Sequence, residues 1–135
     1  MALNVGLLRE SFELVASVNP AFTTRFYEIL FERYPQTRAM FPASGLARQA
    51  EMLNGALVAV LDHLEDAPWL VQTLGALGAK HVGYGVTREM YDWVGGSLLA
   101  TLAEVAGPAW NAELNAAWGE AYGAIVSLMV PAAAG

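Results

Sequence analysis

The chain has 135 residues, 56% of them apolar and 15% charged, with a net charge of −6. That length buries one good core and leaves too little chain for a second, so residues 1–135 read as a single domain. Its seven Lys and Arg are spread singly, which argues against nucleic-acid or anionic-lipid binding, and the lack of cysteine excludes disulfides, thiolate-bound metals and a Cys nucleophile.

So large an apolar share fits a chain that encloses a non-protein group, and equally a tightly packed or self-associating helical domain. The amino terminus shows no charged region followed by an apolar core and cleavage site. The longest uncharged run, Ala121 to Gly135, is broken by Pro131 and too short to span a bilayer. A soluble, cytoplasmic protein with no membrane partner is expected.

Almost the whole chain has helical period. A first helix is expected over Val5–Val18. Asn19-Pro20 supplies a cap and a first helical residue for a second helix, which runs to about Tyr34 and carries Phe22, Phe26, Tyr27, Leu30 and Phe31. Pro35 forces Tyr34 out of helical geometry, and a short third turn leads to Phe41-Pro42. Ser44 can cap a long helix from about Gly45 to Asp62. Asp66-Ala67-Pro68 restarts the chain into a helix ending near His81, and Gly83 and Gly85 mark a loop. Thr87 caps a helix from Arg88 to about Ala106, with Glu89 well placed for its dipole. After the break at Gly107-Pro108 the last helix runs to Val130, where Pro131 stops it. No strand pattern or internal repeat is present.

His81 closes an apolar helical stripe of Leu70, Leu74 and Leu77, and Gln49 opens another of Leu53, Leu57 and Val60. Each polar group alone can be read as a core or half-exposed residue. Together they suggest a dry pocket approached from two sides. One histidine falls short of a zinc or di-iron site, whereas haem accepts a single protein ligand. An amide at Gln49 can donate a hydrogen bond to a diatomic ligand, and a buried Tyr27 hydroxyl needs a partner. His63, in the acidic run Asp62-His63-Leu64-Glu65-Asp66, reads as a solvated surface residue. There is no phosphate loop, activated serine or carboxylate pair on an apolar face, and the acids Glu10, Glu13, Glu28, Glu32 and Glu51 read as solubility.

Several segments agree in order and spacing with a known pattern. They are Phe26-Tyr27-Glu28-Ile29-Leu30-Phe31, Met40-Phe41, Arg48-Gln49-Ala50-Glu51-Met52-Leu53, Lys80-His81 with Gly85-Val86, and Tyr91 through Leu98-Leu99-Ala100-Thr101-Leu102. Ala117-Trp118-Gly119-Glu120-Ala121-Tyr122-Gly123 completes them. The chain resembles a bacterial globin, specifically the haem domain of flavohaemoglobins and the related single-domain bacterial haemoglobins.

The resemblance implies an all-α globin fold, a three-over-three helical sandwich with the short fourth helix absent or disordered. It implies haem b as cofactor, His81 as iron ligand, and Tyr27 and Gln49 as the distal residues that stabilise bound ligand. Phe41, Leu53, Val86, Tyr91, Val94, Leu98 and Tyr122 would contact the haem. The implied function is reversible binding of dioxygen, nitric oxide or carbon monoxide, with nitric oxide dioxygenation where an external reductase returns electrons. A globin-shaped interaction or sensor module is the alternative.

Two departures stand out. The flavin and nicotinamide domains of a flavohaemoglobin are missing after the last helix, so reducing electrons are expected from elsewhere. The glutamate that with a tyrosine, here Tyr91, polarises the family's proximal histidine falls at Pro131-Ala132-Ala133-Ala134, which holds no acid. His81 is therefore expected as an ordinary neutral imidazole held by a backbone carbonyl such as that of Leu77. Four tryptophans and five tyrosines leave monomer and homodimer both open.

Overall fold

In a computed structural model, residues 3–41 and 45–130 are described. Six helices carry the fold: α1 Val5–Val18, α2 Phe22–Arg33, α3 Leu46–Asp62, α4 Ala67–Gly83, α5 Arg88–Ala106 and α6 Ala112–Met129. Tight 3₁₀ turns at Pro35–Met40 and Gly107–Ala109 join α2 towards α3 and α5 to α6. The arrangement is the expected three-over-three helical sandwich, with no strand among the described residues. Only Phe41–Gly45 separates the first 3₁₀ turn from α3, and residues 42–44, including the expected cap Ser44, lie outside the described residues. So does Pro131. No helix among the described residues is long and apolar enough to cross a membrane.

Short polar side chains cap three of the six helix starts. Asn4 accepts from Leu7 N at 3.2 Å, Asp66 from Trp69 N at 3.2 Å, and Asn111 from Leu114 N at 2.9 Å, each satisfying an amide that the helix leaves unpaired. Thr87 stands at the start of α5 as expected. Asn19 behaves differently. Its side chain accepts from Ala21 N at 3.0 Å and its carbonyl from Phe22 N at 3.0 Å, a local turn that delays α2 until Phe22. At the other end of the chain, the 3₁₀ turn after Gly107 delays α6 to Ala112.

α2 packs across α5 and α3, α4 lies along α6, and α1 covers α5 and α6. The core divides into two clusters. The larger holds Leu8, Phe12, Phe22, Phe26, Tyr27, Leu30, Leu98, Leu102 and Trp118. The smaller holds Val60, Leu74, Tyr91 and Met129, with Leu70, Leu77 and Val86 packed on it. Buried polar groups tie helices together. Trp118 Nε1 donates to Ser11 Oγ at 2.8 Å, and Ser11 donates on to the Leu7 carbonyl at 2.7 Å. On the surface Arg25 grips Glu104 through two bonds of 2.7 and 2.8 Å, joining α2 to α5.

His63 is half-buried and more engaged than its acidic neighbours suggest. Its ring stacks on Trp69 at 3.8 Å and 9°, and Nδ1 meets the Ala59 carbonyl at 2.7 Å. The indole six residues on folds back across the α3–α4 turn, which local charge does not foretell.

Two glycines mark close approaches. A Cβ at Gly78 would collide with the Met129 carbonyl, so this residue lets α4 lie directly on α6. A Cβ at Gly95 would strike the Tyr122 ring. Gly78→Ala is expected to destabilise the fold by about 1–3 kcal/mol. Gly75→Ala, in the same helix with nothing within 4 Å of the new methyl, should be neutral or stabilising by up to about 1 kcal/mol. Thermal or urea unfolding of the pair decides it, and equal stability of the two variants would refute the close-packing account.

Candidate functional site

The last turn of α4 presents His81. Nδ1 donates to the Leu77 carbonyl at 2.8 Å, the partner expected from the sequence, which leaves the Nε2 lone pair available as a ligand. Behind it the chain reverses sharply. Tyr84 N bonds the Lys80 and His81 carbonyls, Gly85 N the Val82 carbonyl, and Val86 N the His81 carbonyl at 3.0 Å. Gly85 makes this possible with φ +83°, a conformation that favours glycine. The imidazole, half-buried, lies 6.2 Å from the Tyr91 ring at 28°.

Tyr91 is in turn fixed from α6. Tyr122 OH donates to the Tyr91 carbonyl at 2.5 Å, and its ring lies flush against Gly95. Nothing in the helical period announces this bond, since it joins a side chain to a backbone carbonyl on another helix. Burial pushes the Tyr122 hydroxyl pKa well up, with Tyr91 and Asp92 adding to the rise. Burial also raises that of Tyr91.

Tyr27 sits on α2, 4% exposed, among aromatic rings: Phe26 at 4.9 Å, Phe41 at 5.3 Å and Phe31 at 6.0 Å. Burial raises its pKa, and the Gln49 side chain on α3, reaching the phenol, pulls the other way. An amide N–H donated to the phenol oxygen has that sign, because it favours the charged form.

The structure thus groups Tyr27 with Gln49 and Phe41, and His81 with Tyr91 and Tyr122. Of the remaining expected contacts, Leu98 is buried in the larger cluster, and Leu53, Val94 and Tyr122 pack on it with Phe41. Val86 packs with Tyr91 on the smaller one. The proximal acid position, residues 131–134, lies outside the described residues. Among the described residues no three His, Cys, Asp or Glu gather as a metal site. The donor set is a single imidazole with apolar walls, which is what haem requires and what a bare metal ion does not accept.

Comparison with known proteins supplies the next step. The Globin family profile matches residues 24–129. The chain belongs to the globin family. Globin membership implies haem binding, in agreement with the donor set. This globin is 32% identical over 128 residues to a flavohemoprotein of Rhodopirellula baltica, and 33% identical over 128 residues to one of Bacillus thuringiensis. Each match covers 93% of this chain and 31% of the relative, so the chain spans under a third of their length.

Among solved structures, it is 31% identical to an engineered carbene transferase from Rhodothermus marinus whose parent is assigned as a nitric oxide dioxygenase. The TM-score is 0.79, covering 93% of this chain and 87% of that one. A bacterial globin of Campylobacter jejuni, at 24% identity, has a TM-score of 0.79 with 93% and 90% covered. Aplysia limacina myoglobin, at 22%, reaches 0.81 with 95% and 97% covered. The last two speak to the fold alone.

The three raised tyrosines make alkaline stability a test of this geometry. Below pH 10 both folded and unfolded chains hold these protons. As pH climbs past the ordinary phenol value the unfolded chain releases them while the native state retains them, so stability falls. Urea midpoints should therefore drop between about pH 10 and 12, and Tyr122→Phe should flatten that slope. A midpoint that holds constant over this range would contradict the burial of these hydroxyls.

Proposed function

We propose that this globin holds haem b on His81 and reversibly binds dioxygen, along with nitric oxide and carbon monoxide, with Tyr27 and Gln49 acting on the bound gas. The observation that carries the reading is an imidazole with its Nε2 lone pair free, beside Tyr91 of the smaller cluster, together with a buried Tyr27 phenol in the larger one that the half-buried Gln49 side chain reaches. Haem, when bound, supplies redox-active iron with an open position for a diatomic gas.

The chain's own residues do the rest. Leu77 fixes the tautomer of His81 and turns Nε2 outward. If the Gln49 N–H is spent on the Tyr27 oxygen, the phenolic O–H is free to donate to a second acceptor. A gas carrying partial negative charge suits that donor. Phe41, Leu53, Val94, Leu98 and Tyr122 exclude water, which protects the ferrous state. A carbonyl acceptor for His81, in place of a carboxylate, keeps the imidazole an ordinary neutral donor. That favours reversible carriage over O–O bond cleavage. Nitric oxide dioxygenation would in addition need a reductase to return electrons to the iron.

An absorption spectrum of purified protein, as isolated, after dithionite and after carbon monoxide, tests the cofactor. A Soret band that shifts with carbon monoxide and is lost or displaced in His81→Ala is expected. Its absence after hemin reconstitution would overturn the reading in favour of an interaction module. Tyr27→Phe and Gln49→Leu should each speed oxygen dissociation, since a charge-assisted hydrogen bond contributes about 1.5–3 kcal/mol, roughly tenfold to hundredfold. Unchanged off-rates in both variants would remove the distal assignment. Sustained nitrate production with a reductase present, beyond a single turnover, separates dioxygenase from carrier.

A further inference from the structure

The outer surface of α3 is bare one turn beyond Gln49. Met52 is 59% exposed, the least covered of the described methionines. The cause lies in the turn that follows. Long helical side chains lean back towards the N-terminus and cover the residues three and four positions earlier. The positions that would cover Met52 are Gly55 and Ala56, one without a side chain and the other with a single methyl. Both are exposed, and a Cβ added at Gly55 would meet nothing within 4 Å. By the same rule Met52 lies over exposed Arg48 and half-buried Gln49.

The other described methionines are better covered or engaged. Met129 is 7% exposed, and the Met90 sulfur accepts from Thr87 N at 3.4 Å where α5 starts. Met40, at 37%, ends the first 3₁₀ turn. A thioether is a weak acceptor, whereas its sulfoxide is a polar group whose oxygen accepts hydrogen bonds. Residues three apart on a helix are neighbours. Oxidation at Met52 therefore sets a competing acceptor beside the Gln49 side chain, which otherwise reaches the Tyr27 phenol.

We propose that Met52 is a peroxide-reactive modification site whose sulfoxide draws the Gln49 amide outward and so speeds release of bound gas. The sulfur lone pair attacks one oxygen of hydrogen peroxide, forming the S–O bond as the O–O bond breaks. Sulfur is oxidised by two electrons, and the departing hydroxide takes the proton of the transferred oxygen and leaves as water. Enzymatic reduction of the sulfoxide reverses the change. The choice of Met52 as target stands on its exposure, while the effect on gas release rests on the haem-globin reading.

Trypsin cleaves after Arg48 and Lys80, which leaves Met52 as the one methionine of peptide 49–80. The carbon monoxide complex is treated with limiting hydrogen peroxide, quenched with catalase and digested for mass spectrometry. Peptide 49–80 should gain the mass of one oxygen several-fold faster than Met40, Met90 or Met129 is oxidised. In the same samples, exchanged to the oxygen complex under light, oxygen dissociation should speed several-fold towards the Gln49→Leu rate. Methionine sulfoxide reductase should restore it, and Met52→Leu should keep the parent rate before and after peroxide. Oxidation of Met40 as fast as Met52 would overturn the site. Unchanged dissociation after oxidation of Met52, the result if Arg48 takes the sulfoxide oxygen, would overturn the effect on Gln49, as would a peroxide response that persists in Met52→Leu. If no carbon-monoxide-sensitive Soret band forms, the haem reading fails and the effect on gas release with it, while the peptides still decide the site.

Discussion

The seat of α4 on α6 governs the site. Gly78 brings the α4 backbone against the Met129 carbonyl, closer than any other residue type allows. From there the helix has less than one turn left before His81, so the position of the imidazole is inherited from that contact. The Leu77 carbonyl then removes the remaining freedom by holding Nδ1, and the Gly85 reversal clamps the backbone that follows. Rigid elements place a ligand more reproducibly than loops do. Here the ligand-bearing residue sits on a helix whose own packing is fixed by a missing side chain.

Buried hydroxyls form the second organising feature. A phenol withdrawn from water costs stability unless its oxygen and hydrogen find partners. Tyr122 uses a backbone carbonyl on α5, and in doing so braces Tyr91, whose ring lies against His81. Tyr27 has the Gln49 amide. These two solutions differ in consequence. The Tyr122 proton is committed to a carbonyl that belongs to the fold, so the group is structural. An amide N–H donated to Tyr27 commits only the oxygen and leaves the phenolic O–H free, which suits Tyr27 rather than Tyr122 to the ligand role proposed.

Much of this was legible in the sequence, and the exceptions have physical causes. The bounds of α1 and α5 follow from local signals that act within one turn, the apolar period and the Thr87 start. The stripe positions of Gln49 and His81 mark the two faces, and the Leu77 carbonyl is the natural acceptor four residues before the imidazole. What escaped depends on contacts between elements. Asn19 resembles a cap but spends its side chain on the Ala21 amide two residues on, in a local turn. His63 carries an acidic neighbourhood in sequence and an indole in space. The Tyr122–Tyr91 bond and the close approach at Gly95 follow from how α5 and α6 cross, which no periodicity encodes.

Under the proposed function, affinity and reactivity fall to separate parts of this framework. Donors at Tyr27 and Gln49 would act on the bound state and so on affinity. The Leu77 carbonyl that accepts from His81 Nδ1 would act through the imidazole on electron donation and so on chemistry. The separation follows from geometry: α4 carries the imidazole, while α2 and α3 carry the phenol and the amide. A substitution that alters the hydrogen bonding of Tyr27 can therefore leave the imidazole and its carbonyl acceptor in place.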